Sequence, residues 1–214
     1  MRVYNLNTAG YALQNVEHRR LKISTLNDLN DPFELRSLEL SDVTHRRVLT
    51  GFRNEFHEKF GLLCFSRSWA NPLMWSHYGD RHRGICLGFD VSDDRVGTVR
   101  YVENRAASQM MDVEVVDESF AQSMILTKYK DWEYEQEVRS FVALPEPDVL
   151  TGLYFESFDE NLVLREVILG PQCEHSVESA RELVGRNSDV EVVKRGSPFR
   201  HSRLFSIGGR PKEG

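Results

Sequence analysis

Three short stretches concentrate side chains able to do chemistry. Residues 73–90, LMWSHYGDRHRGICLGFD, place His77, Asp80 and His82 within six positions, with Trp75 and Tyr78 beside the first histidine. Residues 132–139, WEYEQEVR, carry Glu133, Glu135, Glu137 and Arg139. The loop LNDLNDPFEL supplies Asp28, Asp31 and Glu34.

Two histidines and a carboxylate can form a metal triad. The spacing here fits none of the strong zinc patterns, and a helix ending at Gly79 would send the three side chains apart. Hydrogen-bonded or surface histidines are the simpler expectation. Carboxylate groups can hold Mg²⁺ or act as acid and base. In the loop, Asn and Asp more simply serve turns and caps; the contrary reading is a metal-dependent phosphoesterase using Asp28 and Asp31. Glu135, Glu137 and Arg139 share one parity, so a strand beginning near Glu135 puts all three on one side. Val138, Ser140 and Val142 then lie on the other. The charged row is either an exposed edge or the mouth of a cleft. Ser66 and Ser68 lack a GxSxG context, and Cys64 lacks a local signature, which disfavours triad-type hydrolysis.

The elements that must position these groups follow from hydrophobic period and breakers. RVYNL (2–6) reads as a strand, AGYALQNVEHR as a short helix and RLKIST as a second strand. SDVTHRRVLTGFRNEFHEKFG reads as a helix capped at Ser41 and stopped by Gly61, with Val48, Leu49, Phe52, Phe56 and Phe60 on one face. LLCFS is a strand, NPLMWSHYG a short helix from near Pro72, and GICLGFDV and TVRYV are strands. Residues 105–135 read as helical. EVRSFVAL and LREVILG are strands, HSVESARELVG is a helix capped near Ser176, and DVEVVKR is a strand. Trp75 and Trp132 are expected as core anchors, given the area a Trp buries. Strands and helices mix without strict alternation, which points to α+β.

The chain of 214 residues has a net charge of −6, 40% hydrophobic and 28% charged residues. This is an ordinary globular composition. It leads to one domain over residues 1–195 and a basic C-terminal tail over 196–214. No apolar run reaches the roughly 18–20 residues of a membrane span, and the start has no secretory signal pattern. A cytoplasmic protein with no membrane association is expected. The three cysteines, Cys64, Cys86 and Cys173, are far apart and read as reduced thiols. Residues 194–214 hold six Lys/Arg and one acid, a local +5. Such a tail can meet phosphates and offers a nucleic-acid contact.

Taken together, LNDPFE (29–34), CFS (64–66), MWSHYGDRHRGICLGFD (74–90) and WEYEQEVR (132–139) resemble a bacterial family classed as a domain of unknown function. The order of elements is also similar to the ADP-ribosyltransferase fold. That resemblance implies a mixed, largely antiparallel sheet split into two halves around a cleft, with peripheral helices. It implies NAD as substrate, with no metal, in an enzyme such as a toxin or phage-defence effector. Residue by residue, RVYNL matches the first strand, where Asn5 stands in place of the expected His, with Tyr4 beside it. LLCFS and LMWSHY match the strand and helix that present a nicotinamide-stacking aromatic, here Tyr78. YEQEVRSFV supplies the glutamate that stabilises an oxocarbenium-like ribose, Glu137 first and Glu135 second. Ser24, Thr25, Ser66 and Arg67 would line the same cleft, and Arg67, Arg81 or Arg83 would meet the pyrophosphate. The competing expectation is a non-catalytic nucleotide- or nucleic-acid-binding module on the same fold.

Overall fold

Apolar residues alternate along the strands, and the two parities bury against different partners. In the computed structural model, residues 1–26, 28–29, 47, 50–51, 54, 56–103, 123, 125–185 and 188–195 are described. Eleven strands among them are β1 (Arg2–Asn7), β2 (Arg20–Lys22), β3 (Phe60–Ser66), β4 (Ile85–Val91), β5 (Val96–Thr98), β6 (Arg100–Val102), β7 (Thr127–Tyr129), β8 (Glu137–Ala143), β9 (Phe155–Ser157), β10 (Leu162–Leu169) and β11 (Glu191–Lys194). The α-helices described along their whole length are α1 (Ala9–Glu17), α2 (Pro72–His77) and α3 (Val177–Val184). The expected α+β class with a mixed, mostly antiparallel sheet is what forms.

Seven strands make the main sheet, in the order β11-β10-β4-β1-β3-β8-β5. β10 and β11 are parallel, and α3 connects them. The other pairs of this sheet are antiparallel. On one face Val3, Phe65, Leu87, Phe89, Val138 and Val167 join one buried cluster, which takes in Ala12 and Val16 of α1 and Ala180 of α3. On the other face Leu6, Cys86 and Ile168 pack against Met74 and Trp75 of α2. This is the period of two expected of strands covered on both sides.

The joint between β1 and β3 differs from the rest of the sheet. One pair, Tyr4↔Ser66, connects them, whereas β1 and β4 pair over six residues and β3 and β8 over seven. Beyond that pair, the Asn5 side chain bridges to β3, Nδ2 donating to Cys64 O at 3.1 Å. A single side-chain bond thus stands where ladder bonds would continue. Nearer the start of β3, Ser24 bridges to Leu62 through two backbone bonds of 2.8 and 2.9 Å.

Local chemistry sets the helix ends. Thr8 caps α1, Asn71 caps α2 with Pro72 in its first turn, and Ser176 caps α3. Each side-chain oxygen takes a backbone N–H that the helix leaves unpaired. After α2 the chain turns through Asp80, Arg81 and His82, three successive residues at φ 45°, 53° and 70°. Side chains other than glycine tolerate that region at a cost. Gly79 and Gly84 flank the turn because a Cβ at Gly84 would lie 2.1 Å from Asn7 O, and one at Gly79 2.7 Å from the Trp75 ring.

Several expectations change. Residues 127–135 are not helical in the α sense: Thr127–Tyr129 pair in parallel with β6, and Lys130–Glu135 form a 3-10 helix. The burial of Lys128 and Glu135 in a polar cluster overrides the local period. TVRYV divides into β5 and β6 at Val99, whose N–H turns to Glu137 O at 3.0 Å. β9 was not expected, and it pairs with β2. The long helix expected before Gly61 falls largely outside the described residues; residues 56–59 are helical, and Gly61 is inside β3. Among the described residues no helix is long and apolar enough to cross a membrane.

Candidate functional site

A cavity of about 220 Å³ opens where β1 and β3 part. Tyr4, Asn5 and Leu6 line it from β1, Cys64, Phe65 and Ser66 from β3, and Met74 and Tyr78 from α2 and its C-terminal end. Ser24, Asp28 and Leu29 close another side, and Lys128, Glu135 and Glu137 form its charged wall. Of the residues expected to form a site, Tyr4, Asn5, Ser24, Ser66, Tyr78, Glu135 and Glu137 therefore meet around one space. Thr25 does not line it; its N–H and hydroxyl hold Asp28 Oδ2 at 2.8 and 3.0 Å. Arg67 is exposed and donates instead to Thr98 Oγ1.

The charged wall is a chain of hydrogen bonds. The Tyr78 hydroxyl donates to Glu135 Oε1. Lys128 Nζ donates to Glu135 Oε2 at 2.6 Å and to Glu137 Oε2 at 3.3 Å. Arg139 holds Glu137 at two points, Nε to Oε1 at 2.8 Å and Nη2 to Oε2 at 2.9 Å, and its Nη1 donates to Ile125 O at 2.6 Å. The Glu137 N–H donates to the Tyr101 hydroxyl at 2.8 Å. Glu135, Glu137, Lys128 and Arg139 are each less than 7% exposed. Two anions and two cations balance, as burial of charge requires.

The exposed-edge reading of the glutamate row is therefore corrected. β8 is interior, between β3 and β5. Glu137 and Arg139 do share a face, but the strand begins at Glu137. Gln136, at φ 46°, separates it from Glu135, which ends the 3-10 helix.

The two carboxylates titrate in opposite directions. Burial would raise Glu137, but the Arg139 guanidinium and the Lys128 ammonium outweigh it and hold its carboxyl below the usual range. Burial raises Glu135 above that range, against the pull of Lys128 and the Tyr78 hydroxyl and with the push of the Glu137 charge. Burial and the Glu135 charge push the Tyr78 phenol far up, so it stays a donor. Tyr101 is pushed up to about 12, first by burial.

Other expectations resolve as structure. His82 Nε2 lies 3.2 Å from Ser76 Oγ, Asp80 pairs with Arg83 at 3.8 Å, and the His77 ring packs toward Tyr78 and Tyr134. Among the described residues no group of three His, Cys, Asp or Glu is arranged around a common point. Asp28 acts as a turn cap on Thr25, with Lys22 Nζ 3.5 Å from Oδ1; Asp31 and Glu34 lie outside the described residues. Ser66 Oγ donates to Glu135 O at 2.6 Å and accepts from Ser68 N at 3.1 Å, tying β3 to the 3-10 helix. Cys86 and Cys173 are buried, and Cys64 is half-buried on the cavity wall. Trp75 is a core anchor, 3% exposed, with Nε1 donating to Trp69 O at 2.6 Å. Trp132 is half-buried.

Sequence reasoning missed Lys128 and Tyr101. Lys128 sits in a segment whose period reads as helix, and nothing local marks it for burial. Its signal is indirect: two glutamates with one arginine, all buried, need a second cation.

Residues 74–140 match the model of a family described as a protein of unknown function (DUF2971). The expected kinship with an uncharacterised family holds for this segment, which contains Tyr78, Lys128, Glu135, Glu137 and Arg139. No curated protein and no solved structure matches the chain.

Proposed function

We propose that the cavity takes the nicotinamide–ribose half of NAD or of a related nucleotide, and that the protein is an ADP-ribosyltransferase-like enzyme cleaving the N-glycosidic bond. The observation that carries this reading is the meeting of Tyr78, Glu135 and Glu137 with Asn5, Tyr4, Ser24 and Ser66 around one cavity. The Tyr78 ring supplies a flat wall for the pyridinium ring. Glu137, kept ionised by Arg139, faces the developing positive charge on the ribose, the kind of fixed charge that lowers such barriers. Glu135, with its raised pKa, takes the proton of the incoming acceptor. Carboxylates whose surroundings drive their pKa values apart are the usual sign of divided roles. The proposed step uses no metal, and an NAD-consuming enzyme of this kind would suit a toxin or phage-defence effector.

A second reading keeps the same ligand without turnover. It is favoured by the occupation of both Glu137 oxygens by Arg139 and Lys128, and of the Asn5 amide by Cys64 O and Asn7 Nδ2. The deciding experiment incubates the protein with NAD and measures free nicotinamide, with Glu137→Gln and Glu135→Gln beside the wild type. The enzyme reading expects release by wild type and at least a hundredfold less from Glu137→Gln, typical for loss of an electrostatic stabiliser. Calorimetric binding of NAD with no release assigns the module. Equal release by wild type and Glu137→Gln refutes the role given to Glu137.

A further inference from the structure

We propose that a second cavity binds a nucleoside monophosphate, with Asn15 reading the edge of the base and Lys22 meeting the phosphate. The site stands apart from the NAD reading, since no residue that lines one cavity lines the other. Its volume is about 810 Å³, within the range of pockets that enclose a small organic ligand. α1 forms one wall, β2 and β9 form another, and the turn from Asp148 to Leu153 forms the rim.

Asn15 is the unusual member. It sits with Ala12 and Val16 among the buried residues of α1, only 7% exposed, and it lines the cavity. Buried amides in folded proteins have hydrogen-bond partners as a rule. The Asn15 carboxamide has none among the described residues, and its polar atoms are not sealed from solvent. It therefore holds a donor and an acceptor side by side toward the cavity. An amide left in this state costs stability, and a ligand with the complementary edge removes the cost. The edge of a base, with adjacent acceptor and donor, is one that a carboxamide pairs with at two points.

The charge on the lining points to an anion. Arg20 and Lys22 stand there with one carboxylate, Asp148. That carboxylate is spent. Its Oδ2 accepts from Arg20 Nη1 at 2.7 Å, and its Oδ1 accepts from Leu150 N, Thr151 N and Thr151 Oγ1 at 2.9–3.1 Å. Arg20 is held with it, its guanidinium also lying 3.7 Å over the Phe155 ring. Lys22 has only a long contact, Nζ to Asp28 Oδ1 at 3.5 Å, and its ammonium has donors to give. Exposed His18 supplies a further donor on the same lining. Tyr11 and Phe155 add two rings, and flat bases bind on aromatic faces. The rim is preorganised: Asp148 N donates to Leu153 O at 2.8 Å, and Gly152 N to Asp148 O at 2.7 Å. An amide edge without cations would suit a neutral amide, and cations without it any small anion. Together with the rings they suit a base that carries a phosphate.

Two contacts join this site to the first cavity. Asn7 lines the second cavity, and its Nδ2 donates at 2.7 Å to Oδ1 of Asn5, which lines the first. Lys22 lines the second, and its partner Asp28 the first. A phosphate that draws Lys22 away releases Asp28, so the occupation of one cavity alters the other.

Isothermal titration calorimetry of the full chain with AMP, GMP, CMP and UMP, each beside its nucleoside and beside inorganic phosphate, tests the site. At least one mononucleotide is expected to bind, about tenfold or more tighter than its nucleoside or phosphate alone. Inorganic phosphate that binds as tightly overturns the role of the base, and a nucleoside that does so overturns the role of Lys22. Absence of binding overturns the site. Lys22→Gln is expected to lose about tenfold or more in affinity, the order of a charge-assisted hydrogen bond. Asn15→Leu is expected to lose about tenfold while its urea midpoint stays or rises, because an unpartnered amide gives way to an apolar side chain of similar size. A variant that unfolds more easily than wild type makes the amide structural and overturns its role. A nucleotide whose affinity ignores both substitutions binds elsewhere, which overturns the site. Asp28→Asn keeps an oxygen for Thr25 and releases Lys22, so affinity is expected to rise about two- to fivefold, the factor of a half-exposed ion pair. An unchanged affinity in that variant overturns the link between the cavities.

Discussion

Arg139 clamps Glu137 from two positions further along the same strand, with Nε–Oε1 at 2.8 Å and Nη2–Oε2 at 2.9 Å. Residues two apart on a strand face the same way, so the sequence E-V-R builds this pair within one element. Lys128 reaches the same carboxylate from β7 and ties in Glu135. The cluster that forms the charged wall of the cavity is thus also a structural joint between β8 and the segment before it.

Breaking the clamp from one side is expected to cost more than removing it whole. Arg139→Met leaves Glu137 buried with Lys128 alone, and losses of about 3–5 kcal/mol are usual when one partner of a buried pair is removed. Combining Arg139→Met with Glu137→Gln removes the stranded charge and should restore part of that loss. Urea unfolding of the two single variants and the double variant checks this; strictly additive losses would show that the two side chains are not coupled.

The two carboxylates pull stability in opposite directions with pH. Glu137 has a lowered pKa, so its contribution is complete above the unfolded-state value and is lost as pH falls through the folded value. Glu135 has a raised pKa, so the folded protein favours its protonated form. That contribution is complete below the unfolded value and is lost as pH rises through the folded one. Relative to wild type, Glu135→Gln is therefore expected to gain stability with rising pH from about pH 4.3, the ordinary glutamate value. Denaturation midpoints between pH 4 and 8 measure the difference, and a difference that stays flat with pH contradicts the raised pKa.

Tyr78→Phe separates the ring from the hydroxyl. The hydroxyl donates to Glu135 and holds its pKa down against burial. Without it the Glu135 carboxyl should titrate at higher pH, while the flat wall of the cavity stays. If Glu135 is the base, the acidic limb of the nicotinamide-release profile moves toward higher pH and NAD affinity changes little. A profile that keeps its position, with a large loss of affinity, would instead make the hydroxyl a ligand contact.

Much of this architecture is legible in the residues themselves. Pro72 and Ser176 announce two helices, apolar spacing announces the short one after RVYNL, and alternating apolar residues announce most of the long strands. Tyr78 and Glu137 are singled out only through the resemblance to the ADP-ribosyltransferase fold, and both line the cavity. What is not legible depends on contacts distant in the chain. Whether the glutamate row of β8 is an edge or an interior turns on β5 and β3 flanking it, which no local pattern states. Lys128 reads as one more exposed lysine until two buried carboxylates are placed beside it. The parting of β1 from β3 is equally invisible, because RVYNL and LLCFS would read the same in an unbroken ladder.

Two glycines should respond oppositely to alanine. Gly84 lies where the turn after α2 runs against β1, and a Cβ there would stand 2.1 Å from Asn7 O and 2.8 Å from Gly79 C. Both are backbone atoms, so relief requires the turn to move. Because the same turn sets Tyr78 at the end of α2, Gly84→Ala is expected to destabilise by about 1–3 kcal/mol or more, as overpacking does, and to disturb the cavity. Gly10, in the first turn of α1, has nothing within 4 Å of an added Cβ. Its φ is not positive among the residues of α1, so Gly10→Ala costs no strain and restricts the unfolded chain, which stabilises by about 0.4–1 kcal/mol. Thermal melts of the two variants should move to opposite sides of the wild type. A Gly84→Ala protein as stable as wild type would mean that the turn after α2 has room that this close approach denies.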